Sequence, residues 1–593
     1  MRRAFDPDRV VVGAFLALIV LIVPLAHLPL GRSAYIQDDR LAVEANPIVE
    51  RGDLGQIVAT TYWEGVEGAD RSLYRPTVIA TFALERRIVG RPDPRVAHAA
   101  NVALHGATTL ALLALLRRLG ARPLVAGVSA LLFAVHPLHV EAVAGIVGRA
   151  EILAAGLSFA ALALAVRAVD GRASGGRRRV AAWAAGLLVF LALGAKEVAL
   201  ATPLLMLALV ACSPSAPAGR RFAGAIDRAA AFAPTALAGM LYVVLRVRAT
   251  GAVAGLQDVH PFDNPLAALD GFERAWTALA IVPRYVGLLA VPVGLTADYA
   301  GPAVPIERTL LAARPLLGLA ILGALVGLLL APLFRPGATA RLVAWASLLF
   351  LAPYAIVGNL LFDIGAVIAE RLVYLPSAGF CLFGGLVLGA AIERSAPQHA
   401  LRSRLATLAA GALVAGFALK TWARCQDWRD EETLFRAATR ARAASPRALL
   451  ILGQIESRRG ELQAALASLD RAVAAYPPFV AAWLERGSVL GRLERIAEAR
   501  ESFRRAVEFG PLHPLAHLDL GIAESRLGHP EAAERALRKA LVHDATLDRA
   551  WAQLGNLALA RGDRAEAARD YRRAIALGRR DLEPRLAEAL AEP

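Results

Sequence analysis

VVVGAFLALIVLIVPLAHLPL, Val10–Leu30, leads after four residues into YIQDDRLAVE, Tyr35–Glu44. The first stretch carries no Asp, Glu, Lys or Arg. About 20 apolar residues at 1.5 Å each cross the roughly 30 Å of hydrocarbon in a bilayer. Arg2, Arg3 and Arg9 precede it, and such charges hold an N-terminus in the cytoplasm. No small-residue cleavage site follows, so it reads as a retained anchor and not as a signal peptide. Asp38 and Asp39 therefore stand at the mouth of a membrane domain, on the side to which the first helix exits. Two adjacent carboxylates there suit deprotonation of an acceptor that attacks a lipid-linked donor. They equally suit a solvated loop or a helix cap.

Working outward, the chain has 593 residues, 56% of them hydrophobic, with mean hydropathy +0.48. Soluble domains lie nearer 45–50% apolar. The excess is confined to residues before Trp422, and the sequence after it is charged and amphipathic. Residues 1–422 hold 38 Lys+Arg against 26 Asp+Glu, a net +12, and residues 423–593 hold 28 against 25, a net +3. The basicity belongs to the membrane loops, which the positive-inside rule explains without a nucleic-acid partner. Cys212, Cys381 and Cys425 are isolated, so neither a disulfide framework nor a zinc site is indicated.

Further apolar runs fall at Ala97–Leu116, Leu124–Val140, Ile152–Val169, Val180–Ala195, Val198–Cys212, Ala229–Leu245, Leu316–Leu333, Leu342–Leu361, Leu372–Ile392 and Leu405–Trp422. The loops Arg117–Arg122, Gly171–Arg179, Arg220–Arg228, Arg335–Arg341 and Arg394–Arg404 are rich in Arg. Placing all five inside with the N-terminus predicts 11 crossings, with Trp276–Val293 dipping into the membrane or lying along it. Thr77–Val89 reads as an amphipathic piece in the interface. The extracytoplasmic side then collects Gly31–Arg95, His136–Glu151, Lys196–Glu197, Arg246–Ala275, Gly294–Arg314 and Phe362–Arg371.

The tail repeats every 34 residues. Gly recurs at Gly453, Gly487, Gly521 and Gly555, and Ala at Ala465, Ala499, Ala533 and Ala567. A bulky residue recurs at Leu469, Phe503, Leu537 and Tyr571. This is the tetratricopeptide pattern, a stack of helix pairs with a concave surface suited to a peptide or protein. The expected fold is all-α: a polytopic membrane domain at 1–422, with 31–95 as its first outside loop, followed by a solenoid. Residues 423–445 read as a connecting helix and degenerate repeat (Asp427–Arg442), 446–581 as four repeats, and 582–593 as a tail.

Several clusters could carry chemistry. His136, His139 and Glu141 leave a span together. They suit a metal ion, a phosphate, or only a polar helix exit. Arg149, in Gly148-Arg149-Ala150-Glu151, has the fork to grip a phosphate, or it snorkels and pairs with Glu151. Lys196-Glu197 is either the turn between two spans or an interfacial lysine facing a lipid phosphate. Glu370-Arg371 is a structural ion pair or a phosphate clamp. No Walker loop, GxGxxG turn, GxSxG elbow or HExxH motif is present, which argues against an ATP-driven pump, a dehydrogenase or a metalloprotease of known pattern.

QDD at Gln37–Asp39, YRP at Tyr74–Pro76, HAANVALHG at His98–Gly106, LLFAVHPLHVEAVAGIVGRAE at Leu131–Glu151, AKE at Ala195–Glu197 and ERLVYLPS at Glu370–Ser377 line up together. With the repeats, they resemble the transmembrane and tetratricopeptide repeat-containing O-mannosyltransferases across nearly the whole chain. The resemblance implies a membrane glycosyltransferase of the C-type fold. It implies a polyprenyl- or dolichyl-phosphate sugar donor and inverting transfer to Ser or Thr hydroxyls of a protein. The active site then faces the periplasm in a bacterium, or the endoplasmic reticulum lumen in a eukaryote. Carried over, Asp38 and Asp39 are the catalytic pair. Arg149, Arg371, His136 and Lys196 are candidates for the donor phosphate, and His139, Glu141, Glu151, Glu370, Tyr74 and Arg75 support them. This chain has Gly-Arg-Ala-Glu where the family commonly has Gly-Arg-Ala-Asp. No nucleotide is needed, and a divalent cation is compatible with the chemistry. The expected partners are the lipid-linked donor, a protein acceptor on the repeats and membrane lipids. Two other readings stay open: a membrane-anchored repeat scaffold, and a ligase moving a lipid-linked sugar to a glycan or lipid.

Overall fold

A computed structural model describes residues 7–66, 72–169, 175–212, 221–253, 259–300, 304–361, 364–393, 400–440 and 445–591, without the side chains of 210–231 and 400. The side chains of Cys212 and Arg220–Arg228, and parts of the Gly171–Arg179, Phe362–Arg371 and Arg394–Arg404 loops, lie outside what is described. Among the described residues there is no β-strand. The chain forms two compact units, one of Met1–Tyr299 and Val304–Ala437 and one of Ala300–Ala303 and Ala438–Pro593.

The first unit begins with α1 (Pro7–Ala26), the short α2 (Pro47–Arg51) and α3 (Leu54–Ala59), α4 (Pro76–Val89) and α5 (Pro94–Arg118). It continues with α6 (Pro123–Ala134), α7 (Val140–Ala144), α8 (Arg149–Val169), α9 (Gly175–Leu193), α10 (Ala201–Cys212) and α11 (Arg221–Thr250). It closes with α12 (Gly271–Ala290), α13 (Ala313–Phe334), α14 (Ala338–Val357), α15 (Ser377–Glu393), α16 (Ala400–Asp427) and α17 (Glu431–Ala438).

Among the described residues, 7 helices are long and apolar enough to cross a membrane, or 8 when α6 and the segment Pro137–Ala144 count as one bent span. This makes a multi-pass membrane protein, with fewer full-length spans than the 11 predicted. The other three apolar runs fall short for visible reasons. The run at Val180–Ala195 lies on α9, whose first turns carry Arg177, Arg178 and Arg179. The run at Val198–Cys212 is broken into a 3-10 turn, Glu197–Leu200, and the 12-residue α10. The third is the 17-residue α15. The Leu124–Val140 run bends by 48° where Pro137 removes a backbone donor and His136 Nδ1 accepts the Leu138 N–H at 3.2 Å.

The core of this unit is α5, α6, α8 and α15, and the block Val125–Ile146 is buried throughout. Small residues bring α15 onto α6. A Cβ on Gly385 would strike Ser129 Oγ and lie 2.7 Å from the Val125 carbonyl oxygen. Close backbone approach of this kind packs helices where water cannot drive them together. Cys381 and Cys425 are free and buried. α4 buries Val78, Ile79 and Phe82 and exposes Leu84 and Ile88.

The second unit is four helix pairs: α18 and α19 (Pro446–Arg458, Leu462–Ala475), α20 and α21 (Val480–Arg492, Ile496–Phe509), α22 and α23 (Pro514–Arg526, Pro530–His543), and α24 and α25 (Asp548–Ala560, Arg564–Ala576). The recurring Gly and bulky residue prove to be partners within one repeat. A Cβ on Gly453 would lie 2.8 Å from Leu469 Cγ, and those on Gly521 and Gly555 would lie 2.7 Å from Leu537 Cγ and Tyr571 Cδ1. The first-helix ring position also has one job in three repeats. Trp483 Nε1 donates to Pro477 O at 2.7 Å, Trp551 Nε1 to Ala545 O at 3.0 Å, and His517 Nε2 to Pro511 O at 2.8 Å. Within the stretch read as a tail, Glu583–Leu590 form α26, and Ala589 on it and Leu582 just before it are buried with Tyr571 in the last repeat's core.

Candidate active site

After α1 the chain makes a 3-10 turn, Leu28–Arg32, and an extended step to Ile36. Gln37 then takes φ +47°, a left-handed conformation that costs a non-Gly residue about 1–2 kcal/mol. Asp39 N–H closes the turn onto Ile36 O at 3.0 Å. The two carboxylates that follow part company. Asp39 is buried, and its Oδ1 accepts the Val147 N–H at 2.9 Å while Oδ2 accepts the Ile36 N–H at 3.3 Å. Burial pushes its pKa up to about 7 against the pull of those amides. Asp38 is exposed, and among the described residues it makes no hydrogen bond or ion pair.

Asp38 faces a cavity of roughly 380 Å³. Its walls come from all six stretches assigned to the extracytoplasmic side: Asp38 and Arg75, Glu141 and Glu151, Lys196 and Glu197, Arg246, Ala297, and Arg371. Four cations meet there, and each is held by a glutamate. Glu141 binds Arg371, Glu151 binds Lys196, and Glu197 binds Arg75 at 3.2 Å and Arg246 at 3.5 Å. Glu141 also accepts the Arg371 backbone N–H at 3.0 Å, and its charge raises the Arg371 pKa against the lowering effect of burial. Buried ion pairs need such extra hydrogen bonds to offset desolvation. The Arg371 side chain stays 41% exposed, so its fork keeps a free edge. Tyr62, Trp63 and Trp428 supply aromatic wall, with Arg75 5.7 Å from the Tyr62 ring centroid.

Other predicted site residues stand elsewhere. Arg149 is a correction: it does not line this cavity and is 1% exposed. It donates to Glu85 at 2.9 Å, Asn101 at 2.7 Å and the Ala97 carbonyl at 3.1 Å, and lies 4.4 Å over the Phe82 ring. With Nε and Nη2 committed to these acceptors and its plane over Phe82, it clamps α4 and α5 to α8, away from the cavity. Its pairing with Glu151 fails too, because Glu151 holds Lys196.

His136 is also displaced from the phosphate role. It is buried, with Nε2 2.9 Å from Leu289 O and Nδ1 on Leu138 N–H. His139 Nδ1 meets Phe133 O and its Nε2 meets Ser377 Oγ, both at 2.8 Å. The metal reading of His136, His139 and Glu141 lapses, since both rings are engaged and Glu141 faces Arg371. Among the described residues no group of three or more His, Cys, Asp or Glu is placed to hold a metal ion.

Glu370 sits behind the cavity, accepting from Thr296 N at 2.7 Å and Tyr299 Oη at 2.9 Å. Tyr74 is buried and donates to Val58 O at 2.8 Å, bracing the loop that presents Arg75.

The repeat unit matches a family model described as tetratricopeptide repeat at residues 426–478, 457–515, 484–551 and 518–581. Protein O-mannosyl-transferase TMTC3 of Mus musculus is 26% identical over 606 residues, covering 95% of this chain and 64% of its own length. Protein O-mannosyl-transferase Tmtc1 of Drosophila melanogaster is 29% identical over 520 residues, covering 73% of this chain and 58% of its own. A match over 95% of this chain takes in both its membrane and its repeat portions. The chain is thus similar to the transmembrane and tetratricopeptide repeat-containing O-mannosyl-transferases, over 95% of its length in the first case. A third relative, Protein O-mannosyl-transferase Tmtc2 of Drosophila melanogaster, is 39% identical over 128 residues, 21% of this chain and 13% of its own. The chain spans about six-tenths of the length of the first two relatives, 64% and 58%.

Arg246 and Trp428 are cavity residues that the sequence reading missed. Arg246 ends an apolar run and looks like an ordinary interfacial flank. Trp428 falls in the stretch read as a degenerate repeat helix. Instead α16 runs to Asp427, residues 428–430 turn, and the short α17 starts at Glu431.

Proposed function

We propose that the membrane unit moves a sugar, mannose by the names of its relatives, from a polyprenyl- or dolichyl-phosphate carrier to Ser or Thr hydroxyls of a protein. The observation that carries this reading is an open, unpaired carboxylate, Asp38, in one cavity with Arg75, Lys196, Arg246 and Arg371. The acceptor oxygen attacks the anomeric carbon and forms the new bond. The bond from that carbon to the phosphate oxygen breaks, its electron pair leaves with the phosphate, and the carbon inverts. The hydroxyl proton passes to Asp38, the general base. Arg371, with its free edge, and Lys196 meet the charge that grows on the phosphate. Arg75 and Arg246 line the same wall.

Asp39 acts as a positioning residue, tying the loop to Val147. The cavity opens on the extracytoplasmic face, opposite the arginine-rich loops. The repeats hold the protein acceptor or a partner that delivers it, as stacked helix pairs do.

The test is transfer of radiolabel from polyprenyl-phosphate mannose to protein, in membranes carrying the wild-type chain or Asp38→Asn. Label with the wild type that vanishes in the variant supports the reading. Full transfer by Asp38→Asn overturns the assignment of the base.

A further inference from the structure

A second cavity, of about 520 Å³, lies between α1 and α5, away from the acidic one. Its lining is graded from end to end. Arg95, His98 and His27 stand at one end, and Val102, Gly106 and Leu110 continue down α5 opposite Val23 and Ile19 of α1. Arg95 to Leu110 is 15 residues of helix, about 22 Å at 1.5 Å per residue. The groove is therefore polar for one turn and hydrocarbon-like for the rest.

The polar end is undersatisfied. Arg95 is exposed and forms no ion pair among the described residues; Asp93, its nearest acid in sequence, caps the Arg95 backbone N–H and pairs with Arg91. His27 is 2% exposed, and its Nε2 has no hydrogen-bond partner. Buried polar atoms are seldom left so. α1 and α5 are both long and apolar enough to span a bilayer, so the groove's neighbour is lipid.

We propose that this groove binds an anionic phospholipid of the surrounding bilayer, with its phosphate on Arg95 and one hydrocarbon chain along α1 and α5. Basic pockets between membrane helices take anionic headgroups in this way. The site also touches the machinery of the first cavity. Gly31 lines the groove, and Ile36, five residues on, lines the acidic cavity beside Asp38. A bound lipid braces the base of the loop that carries Asp38. This inference stands on the groove alone and does not depend on the proposed reaction.

The full chain is placed in nanodiscs of phosphatidylcholine with phosphatidylglycerol and released for native mass spectrometry. Wild type is expected to retain phosphatidylglycerol in preference to phosphatidylcholine. Arg95→Gln, and Ala103→Leu, which fills the apolar half, are each expected to weaken retention about tenfold, the loss of one charge-assisted contact or its equivalent. Equal retention by all three overturns the proposal. A second measurement needs no variant: phosphatidylglycerol with a photoactivatable acyl chain should crosslink to peptides containing Ile19–Val23 or Val102–Leu110. Crosslinks only elsewhere overturn it. So does displacement by polyprenyl phosphate, which makes the groove a donor site, or a crosslink between two copies through these residues.

Discussion

Asp39 Oδ1 accepts the Val147 N–H at 2.9 Å, joining the loop after α1 to the turn that opens α8. One acidic residue is thereby consumed in holding its neighbour in place. The adjacent carboxylates have different work, and they should respond differently to substitution.

Asp39→Ala leaves the amides of Val147 and Ile36 without their acceptor, at a cost of about 1–3 kcal/mol for a buried donor. Its melting temperature should fall along with activity. Asp38→Asn removes an exposed, unpaired carboxylate and should melt as the wild type does while losing transfer. Thermal unfolding of both variants beside the transfer assay checks the split. Equal melting losses would sink it.

The buried Asp39 also sets a pH dependence. Its folded pKa is raised to about 7, whereas an unfolded Asp titrates near 3.9. Between roughly pH 4 and pH 7 the folded chain keeps a proton that the unfolded chain has lost, so stability falls as pH rises and levels off above about 7. Asp39→Asn cannot titrate. The drop in melting temperature from pH 5 to pH 8 should be smaller in Asp39→Asn than in the wild type. An identical drop means that Asp39 is not the group responsible.

Arg149 and Arg371 should separate structure from chemistry. Arg149→Met strands Glu85 and Asn101, and removing one partner of a buried pair costs about 3–5 kcal/mol. The double variant Arg149→Met, Glu85→Gln should recover part of that loss in a melting experiment. Arg371→Lys keeps a charge beside Glu141 but loses the planar fork. It should raise the KM for the donor with little change in melting temperature. A stable, fully active Arg149→Met would refute the clamp.

In the repeats, Gly487→Ala would push a methyl group into the Phe503 ring, an overpacking cost of about 1–3 kcal/mol. Amide hydrogen exchange in α20 and α21 should rise, and Phe503→Leu added to it should restore protection. Unchanged exchange in Gly487→Ala would remove the packing account.

The repeat register was legible because its cause is local: Gly487 and Phe503 lie 16 residues apart and recur 34 residues later as Gly521 and Leu537. α26 escaped notice because eight residues are too few to show a helical period. The shortened spans escaped for the opposite reason. An apolar run looks continuous whether or not a 3-10 turn such as Glu197–Leu200 interrupts it.

Sequence alone determined that this chain enters a membrane, that its charged tail is a repeat stack, and that an acidic pair follows the first span. Run length, loop charge and period are one-dimensional quantities, and hydrocarbon thickness and helix geometry act on them directly. Only the tertiary structure decided that Asp38 is open and Asp39 buried, that Arg149 answers to Glu85 and not to Glu151, and that Arg246 and Trp428 reach the cavity. The pairings involved join residues 64 apart for Arg149 and Glu85, and 45 apart for Lys196 and Glu151. The partner a buried charge takes depends on which helices pack together, and sequence spacing does not encode that.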